Sequence, residues 1–184
     1  MTDTPLAERL GKYESATLFE AHDAVYALSP KIVPLFRPIS VSGPAYTVTA
    51  LPGDNLAVHL AVERAPSGSV LVVTTDGNLD TGFWGEILTT AAQARGIRGL
   101  VTDGAVRDTR GIRALGFPVF SVGVAISGPG KKWPGVLGQP VIIGGVLVRP
   151  GDIVVGDDDG VVVVKPEAGE EVLRSEERRV GKEC

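Results

Sequence analysis

Residues 69–124 read SVLVVTTDGNLDTGFWGEILTTAAQARGIRGLVTDGAVRDTRGIRALGFPVFSVGV. Ser69–Thr75 is β-branched and apolar on both faces, the pattern of a strand covered on both sides. The Gly-containing loop DGNLDTGF follows, and a helix is expected from about Trp84 to Arg95, closed by Gly96. Arg98–Thr102 repeats the strand signal and DGAVRD turns the chain. A helix is then expected over about Asp108–Leu115, stopped by Gly116, and Pro118–Val124 supplies the next strand. Two consecutive βαβ units imply parallel strands joined by right-handed crossovers.

Upstream, Tyr46–Leu51 reads as a short strand, and in PGDN Asp54 or Asn55 can cap a helix reaching about Ala65. Residues around Leu6–Ser29 look helical until Pro30, Pro34 and Pro38 break the chain. Downstream of Ser127 the helical period disappears. VIIGGVLVRPGDIVVGDDDGVVVV (141–164) is short apolar runs punctuated by Gly-Gly, Pro-Gly and Asp-Gly, which predicts antiparallel strands folded onto the α/β part. Within it, Asp157–Gly160 reads as a hairpin turn, because successive side chains on extended backbone point to opposite faces and cannot share a metal. Glu167–Leu173 begins a final helix. The last eleven residues, RSEERRVGKEC (174–184), resemble the translation of a sequencing-library adapter, so residues 1–173 are taken as one domain and the tail is set aside.

Composition narrows the function. With 184 residues, 43% of them hydrophobic, the chain suits a single domain with a substantial core. Its 24 Gly and 13 Pro follow no period, which excludes collagen-like and low-complexity readings. A net charge of −4 without a basic block makes nucleic acid an unexpected partner. The longest apolar runs fall far short of a membrane span and no leader pattern opens the chain, so a cytoplasmic protein is the expectation. Cys184 is the sole cysteine and lies in the tail, leaving no disulfide framework or thiolate nucleophile. His22 and His59 cannot form an HExxH metal site. His59 falls with Asn55 and Glu63 at i, i+4, i+8, which reads as a solvated helix stripe. Chemistry is left to carboxylates, Arg, Lys and backbone amides.

In open α/β sheets ligands collect at the carboxyl ends of the parallel strands. The loops leaving those ends carry Asp54, Asp76, Asp80, Glu86, Asp103, Arg107 and Asp108. Gly85–Leu88 form a helix first turn, whose unpaired N–H groups favour a small anion. Arg107 beside Asp108 sets a carboxylate-binding fork next to a hard oxygen ligand. Spacing leaves a second reading open: Asp108 as an N-cap and Arg107 in a surface salt bridge. Gly82-Phe83-Trp84 is either pocket wall or core, Asp103-Gly104 reads equally as a turn or as a group that orients metal-bound waters, and Gly128-Pro129-Gly130-Lys131-Lys132 reads as a mobile turn without P-loop spacing.

The segment GEILTTAAQARGIRGLVTDGAVRD (85–108) closely resembles the core motif of the regulator of ribonuclease E activity A (RraA-like) family and of its aldolase branch, the 4-hydroxy-4-methyl-2-oxoglutarate aldolases. That branch is marked by an acidic residue, twenty residues, then Arg-Asp; Glu86 followed by Arg107-Asp108 matches. SGPAYTV, GDNLAVHLAV, LGFPVFSVG and VRPGDIVVGDDDGVVVV also look like family segments. The resemblance implies a swivelling β/β/α domain, with a βαβαβ core and a β-rich C-terminal part, assembled as trimers or hexamers with sites at subunit interfaces. It implies substrate contacts from Gly85, Glu86, Ile87, Leu88 and Arg107, and Asp108 as the protein ligand of Mg²⁺ or Mn²⁺. Glu86 stands where other members have Asp, and some aldolases add a late carboxylate from a neighbouring subunit. The implied activity is cleavage of 4-hydroxy-2-oxoacids to pyruvate plus a 2-oxoacid, with oxaloacetate decarboxylation, the catalytic residues being Arg107, Glu86 and Asp108. A lysine Schiff base is not expected, since Lys12, Lys31, Lys131, Lys132 and Lys165 lie outside the three rim loops. The regulator branch lacks the Arg-Asp pair and implies the alternative, a non-catalytic inhibitor of an RNA-degrading enzyme.

Overall fold

The apolar alternation of the chain sorts its strands onto one large sheet. A computed structural model describes residues 5–183, with side chains described to residue 178. In chain order the elements are α1 (Leu6–Leu10), α2 (Ser15–Ala21), β1 (Val25–Ala27), β2 (Val33–Pro34), β3 (Val41–Thr49), α3 (Leu56–Arg64), β4 (Val70–Thr74), β5 (Gly82–Trp84), α4 (Glu86–Ala94) and β6 (Gly99–Thr102). They continue with β7 (Ala105–Val106), α5 (Thr109–Leu115), β8 (Val119–Ser121), β9 (Gly123–Val124), β10 (Val136–Leu137), β11 (Val141–Ile143), β12 (Val146–Val148), β13 (Ile153–Gly156), β14 (Val161–Val164) and α6 (Gly169–Glu183).

Strands β3, β4, β6 and β8 pair in parallel, each joined to the next through a helix, as the sequence predicts. The main path of the sheet is β1-β14-β13-β3-β4-β6-β8-β2, with the added outer strands antiparallel, and a ninth strand, β10, pairs antiparallel with β3 beside that path. Because the central order only advances, right-handed crossovers place α3, α4 and α5 on the same face. Side-chain parity confirms it. Leu71, Val73, Leu100 and Val119 join the helices with Trp84, Leu88, Ile112 and Phe117. Their neighbours Val70, Val72, Val101 and Phe120 face the opposite layer, with Val141, Ile143 and Val148 of the β11–β12 hairpin. A third apolar cluster seats α1, α2 and α6 on β13 and β14 through Leu10, Leu18, Val172 and Leu173. This is the β/β/α architecture that the resemblance implies. No described helix is long and apolar enough to cross a membrane.

Several boundaries differ from expectation. Val25–Ala27 is a strand rather than the end of a helix, since its partner β14 offers an open edge. Strand β3 runs from Val41, five residues earlier than expected, because β13 pairs with its first half and β4 with its second. The rim contains structure too: β5 and β7, largely expected as loop, form a small parallel sheet with β9, the end of the expected Pro118–Val124 strand, which separates from β8. Asp157–Gly160 is the β13–β14 turn, and there the Asp157 carboxylate accepts from Ser15 N (2.6 Å) and Ser15 Oγ (2.7 Å), capping α2 from a distance. Helix α6 continues through 174–183, and Glu176 within that stretch is buried.

Candidate active site

The small β5-β7-β9 sheet is what aims the site. Trp84 ends β5 and Val106 ends β7; Arg107 N donates to Trp84 O (2.8 Å), fixing the two exits side by side. From β5 the chain passes Gly85 into α4, and from β7 it passes Arg107-Asp108 into α5. Trp84 is fully buried, stacks on Phe117 at 5.9 Å, and its Nε1 donates to Thr89 Oγ1 (2.8 Å), which in turn donates to Gly85 O. The first turn of α4 is thereby anchored from behind.

Asp108 occupies the left-handed region at φ 55°, ψ 37°, a conformation that aspartate tolerates better than most residues. It sits at the N-cap position of α5, yet its side chain makes no cap bond there. Instead Oδ2 accepts from Glu86 N at 3.1 Å across the gap to α4. The approach is possible because residue 85 has no side chain: a Cβ on Gly85 would overlap Asp108 Oδ2. The Arg107–Asp108 ion pair is long, 3.8 Å, with both side chains roughly two-fifths exposed. Asp108 thus stands at the N-cap position and Arg107 in a surface ion pair, as the second reading has them, but the Asp108 carboxylate is turned to Glu86 N at the start of α4 rather than to α5.

A cleft of about 230 Å³ opens at this junction. One wall is Gly85, Ile87, Leu88, Arg107 and Asp108; the other is Asn55, His59, Gly128, Pro129 and Lys131, with Phe83 also lining it. Glu86 N is taken by Asp108, whereas Ile87 N and Leu88 N have no backbone acceptor among the described residues and carry the positive end of the helix. The Glu86 carboxylate is not in this cleft. It lies against Gly111 of α5, where a Cβ would overlap its Oε2, and lines an adjoining depression shared with Arg107, Asp108, Val124 and Ile126.

The other rim acids have different work. Asp103 accepts from Thr74 Oγ1 (2.6 Å) and Thr75 N (2.7 Å), tying the ends of β4 and β6 together. Asp76 and Asp80 line neither depression. Asp54 is buried and accepts from Leu56 N (3.0 Å), Lys132 N (2.6 Å) and Trp133 N (3.4 Å). Burial opposes its charge, but those three N–H groups and the Lys132 ammonium prevail and hold its carboxyl below the usual range. The 128–132 stretch, expected as a mobile turn, is thus pinned together with residue 133, and Gly130 N donates to Gly53 O (2.7 Å) and Asn55 N to Gly130 O (3.0 Å).

Residues 15–163 match the RraA-like family, described as Aldolase/RraA. The chain belongs to that family. A Halalkalibacterium halodurans protein named "Putative 4-hydroxy-4-methyl-2-oxoglutarate aldolase" is 39% identical over 160 residues, covering 87% of this chain and 76% of the relative. Among solved structures, Streptomyces coelicolor RraAS2, described as an unusual member of the RNase ES inhibitor RraA family, is 32% identical with a TM-score of 0.86. That match covers 98% of this chain and 94% of the other. The RNA-processing inhibitor RraA of Thermus thermophilis is 26% identical with a TM-score of 0.77, over 83% of this chain and 92% of that one.

Within this RraA-like chain the sequence reading missed one whole wall of the cleft. His59 was expected on a solvated stripe, Asn55 on that stripe or as a helix cap, and Lys131 in a mobile turn outside the rim loops; all three line the cleft. The signal that could have found them is their neighbour Asp54, a carboxylate beside a helix start that must bind something. Here it binds the 128–133 backbone.

Proposed function

We propose that this RraA-like protein is a divalent-metal-dependent aldolase. It cleaves 4-hydroxy-4-methyl-2-oxoglutarate-type acids to pyruvate and a 2-oxoacid, and it decarboxylates oxaloacetate. The observation that carries the reading is the convergence of Arg107, Asp108 and the free first-turn N–H groups of α4 on one cleft.

The residues fit a hard divalent ion. Gly85 leaves the space that the Asp108 carboxylate fills, and one oxygen of that carboxylate is held by Glu86 N while the other accepts no hydrogen bond among the described residues. No group of three His, Cys, Asp or Glu that could hold a metal occurs among the described residues, so Asp108 would hold the ion with water completing its shell, as magnesium prefers. When bound, the ion supplies Lewis-acid polarisation of the 2-keto oxygen. The remaining work falls to the chain. Ile87 N, Leu88 N and Arg107 receive the oxoacid carboxylate. As the C3–C4 bond breaks, negative charge gathers on the pyruvate oxygen, and the Arg107 guanidinium stabilises it from a fixed position. Glu86, in the adjoining depression, is assigned the orientation of the water that receives the 4-hydroxyl proton.

The test is pyruvate release from 4-hydroxy-4-methyl-2-oxoglutarate and from oxaloacetate, with Mg²⁺ and with chelator, beside Asp108→Ala. Metal-dependent release that vanishes in the variant is expected; release no greater than that of the variant overturns the reading. A second reading rests on RraAS2 and the Thermus inhibitor. Inhibition of an RNA-degrading enzyme that Asp108→Ala leaves intact would favour it.

A further inference from the structure

The backbone of Glu86 is held at both ends. Its N–H donates to Asp108 Oδ2 at 3.1 Å, and its carbonyl accepts from Thr90 Oγ1 at 3.0 Å. The carboxylate has no such tie. Glu86 is exposed, and among the described residues its side chain accepts no hydrogen bond and joins no ion pair, although Arg107 and Arg110 line the same depression. A long side chain with several open rotamers and no polar partner takes its place from shape alone.

That shape is the surface of α5 at Gly111. A Cβ there would overlap Glu86 Oε2 and Cδ and press on Cγ at 3.0 Å, so the outer half of Glu86 rests in space that any other side chain at 111 would fill. Nothing else at this position asks for glycine. Gly111 is not among the glycines with positive φ, so its backbone is one that alanine can adopt. It also lies within a helix, Thr109–Leu115, where glycine is less favourable than alanine. The residue that gains from the missing Cβ is Glu86.

We propose that Gly111 is a positioning residue, a seat on α5 that holds the Glu86 carboxylate in the depression beside Arg107 and Asp108. This rests on the aldolase reading, in which Glu86 orients the water that receives the 4-hydroxyl proton, and adds to it the residue that sets where Glu86 stands. A methyl group at 111 displaces the carboxylate and leaves Glu86 N on Asp108. Substrate binding is then kept while proton removal slows, so the loss falls on kcat and not on KM. Only the cleavage reaction has a hydroxyl proton to remove. Oxaloacetate loses carbon dioxide without that step, so the seat serves one of the two reactions.

Steady-state kinetics of Gly111→Ala with Mg²⁺, on 4-hydroxy-4-methyl-2-oxoglutarate and on oxaloacetate, provide the test. On the hydroxyacid kcat is expected to fall about tenfold at unchanged KM, and on oxaloacetate to keep its wild-type value. The variant is expected to melt no lower than wild type. Placed in a Glu86→Ala background, the same substitution is expected to change neither reaction further, because the side chain it acts through is gone. Equal losses on both substrates, no loss on the hydroxyacid, a lower melting temperature, or a further loss in the Glu86→Ala background each overturn the proposal. A crystal structure of Gly111→Ala supplies a readout free of turnover. The Glu86 carboxylate moved off α5, with its N–H still on Asp108, is expected; an unmoved carboxylate overturns the seat. A wild-type protein that releases no pyruvate, beside a variant whose carboxylate has moved, would reject the aldolase reading and leave the seat standing.

Discussion

Gly85 and Asp108 are two halves of a single device at the residue scale. The carboxylate occupies the place where any other residue 85 would carry its Cβ. Gly85→Ala must therefore displace Asp108 Oδ2 from Glu86 N. We expect pyruvate release to fall about 10²-fold, on the scale of misplacing a catalytic group, with far-ultraviolet circular dichroism unchanged. Asp108 itself is held at φ 55°, which costs a non-glycine residue stability and a glycine almost nothing. Asp108→Gly is accordingly expected to melt no lower than wild type while losing metal-dependent activity, which thermal melting and the pyruvate assay read together. Arg107→Ala removes the cation that both pyruvate-forming reactions share, and both are expected to be lost; full activity in that variant would sink the assignment. Spacing alone left Arg107 and Asp108 open between a site and an N-cap with a surface ion pair; the family resemblance singled them out, and the structure brings both to one cleft. Glu86 was legible only in part: it lies in the first turn of α4, as expected, but its side chain turns to Gly111 rather than into the cleft.

At the scale of elements, the parallel core could be read from strands long enough to show a pattern, such as Val70–Thr74, and from helices closed by Gly96 and Gly116. The β5-β7-β9 sheet could not, because two- or three-residue strands such as Ala105–Val106 carry no period and are defined by their partners alone. The same holds for the 128–133 turn, whose Gly-Pro-Gly composition suggests mobility until Asp54, more than seventy residues earlier, is seen to bind it. That dependence can be checked. Asp54→Ala removes an acceptor shared by three N–H groups and should loosen the turn that carries Lys131. Faster proteolytic cleavage within 128–133, with a KM for the hydroxyacid raised several-fold, is the expected outcome; unchanged cleavage would mean that the Gly53–Gly130 backbone bonds suffice.

Across the whole molecule, carboxylates join distant segments, Asp54 the α3 start to the 128–133 turn and Asp157 the β13–β14 turn to α2 among them. For Asp157 as for Asp54, burial works against the charge, and the Ser15 N–H and hydroxyl with the turn amides outweigh it, so both folded pKa values lie below the ordinary one. Groups shifted in this direction contribute stability above about pH 4, and the contribution is lost as pH falls through their folded values. The melting temperature should therefore drop steeply below about pH 4, and less steeply in Asp157→Asn. The molecule also exposes apolar surface beside its site: Ile126 at 92%, Ile87 at 80% and Val124 at 59%. Val124 and Ile126 line the same depression as Glu86, Arg107 and Asp108, and three apolar side chains left in water beside charged groups are expected at a surface that another chain covers. The trimer or hexamer implied by the family resemblance would supply that cover from a second copy and close the site at once. Ile126→Asp should then shift the sedimentation coefficient toward that of a single chain and lower pyruvate release in step with dissociation. A variant with wild-type mass and activity would mean that this face stays in solvent, and that one chain holds the complete site.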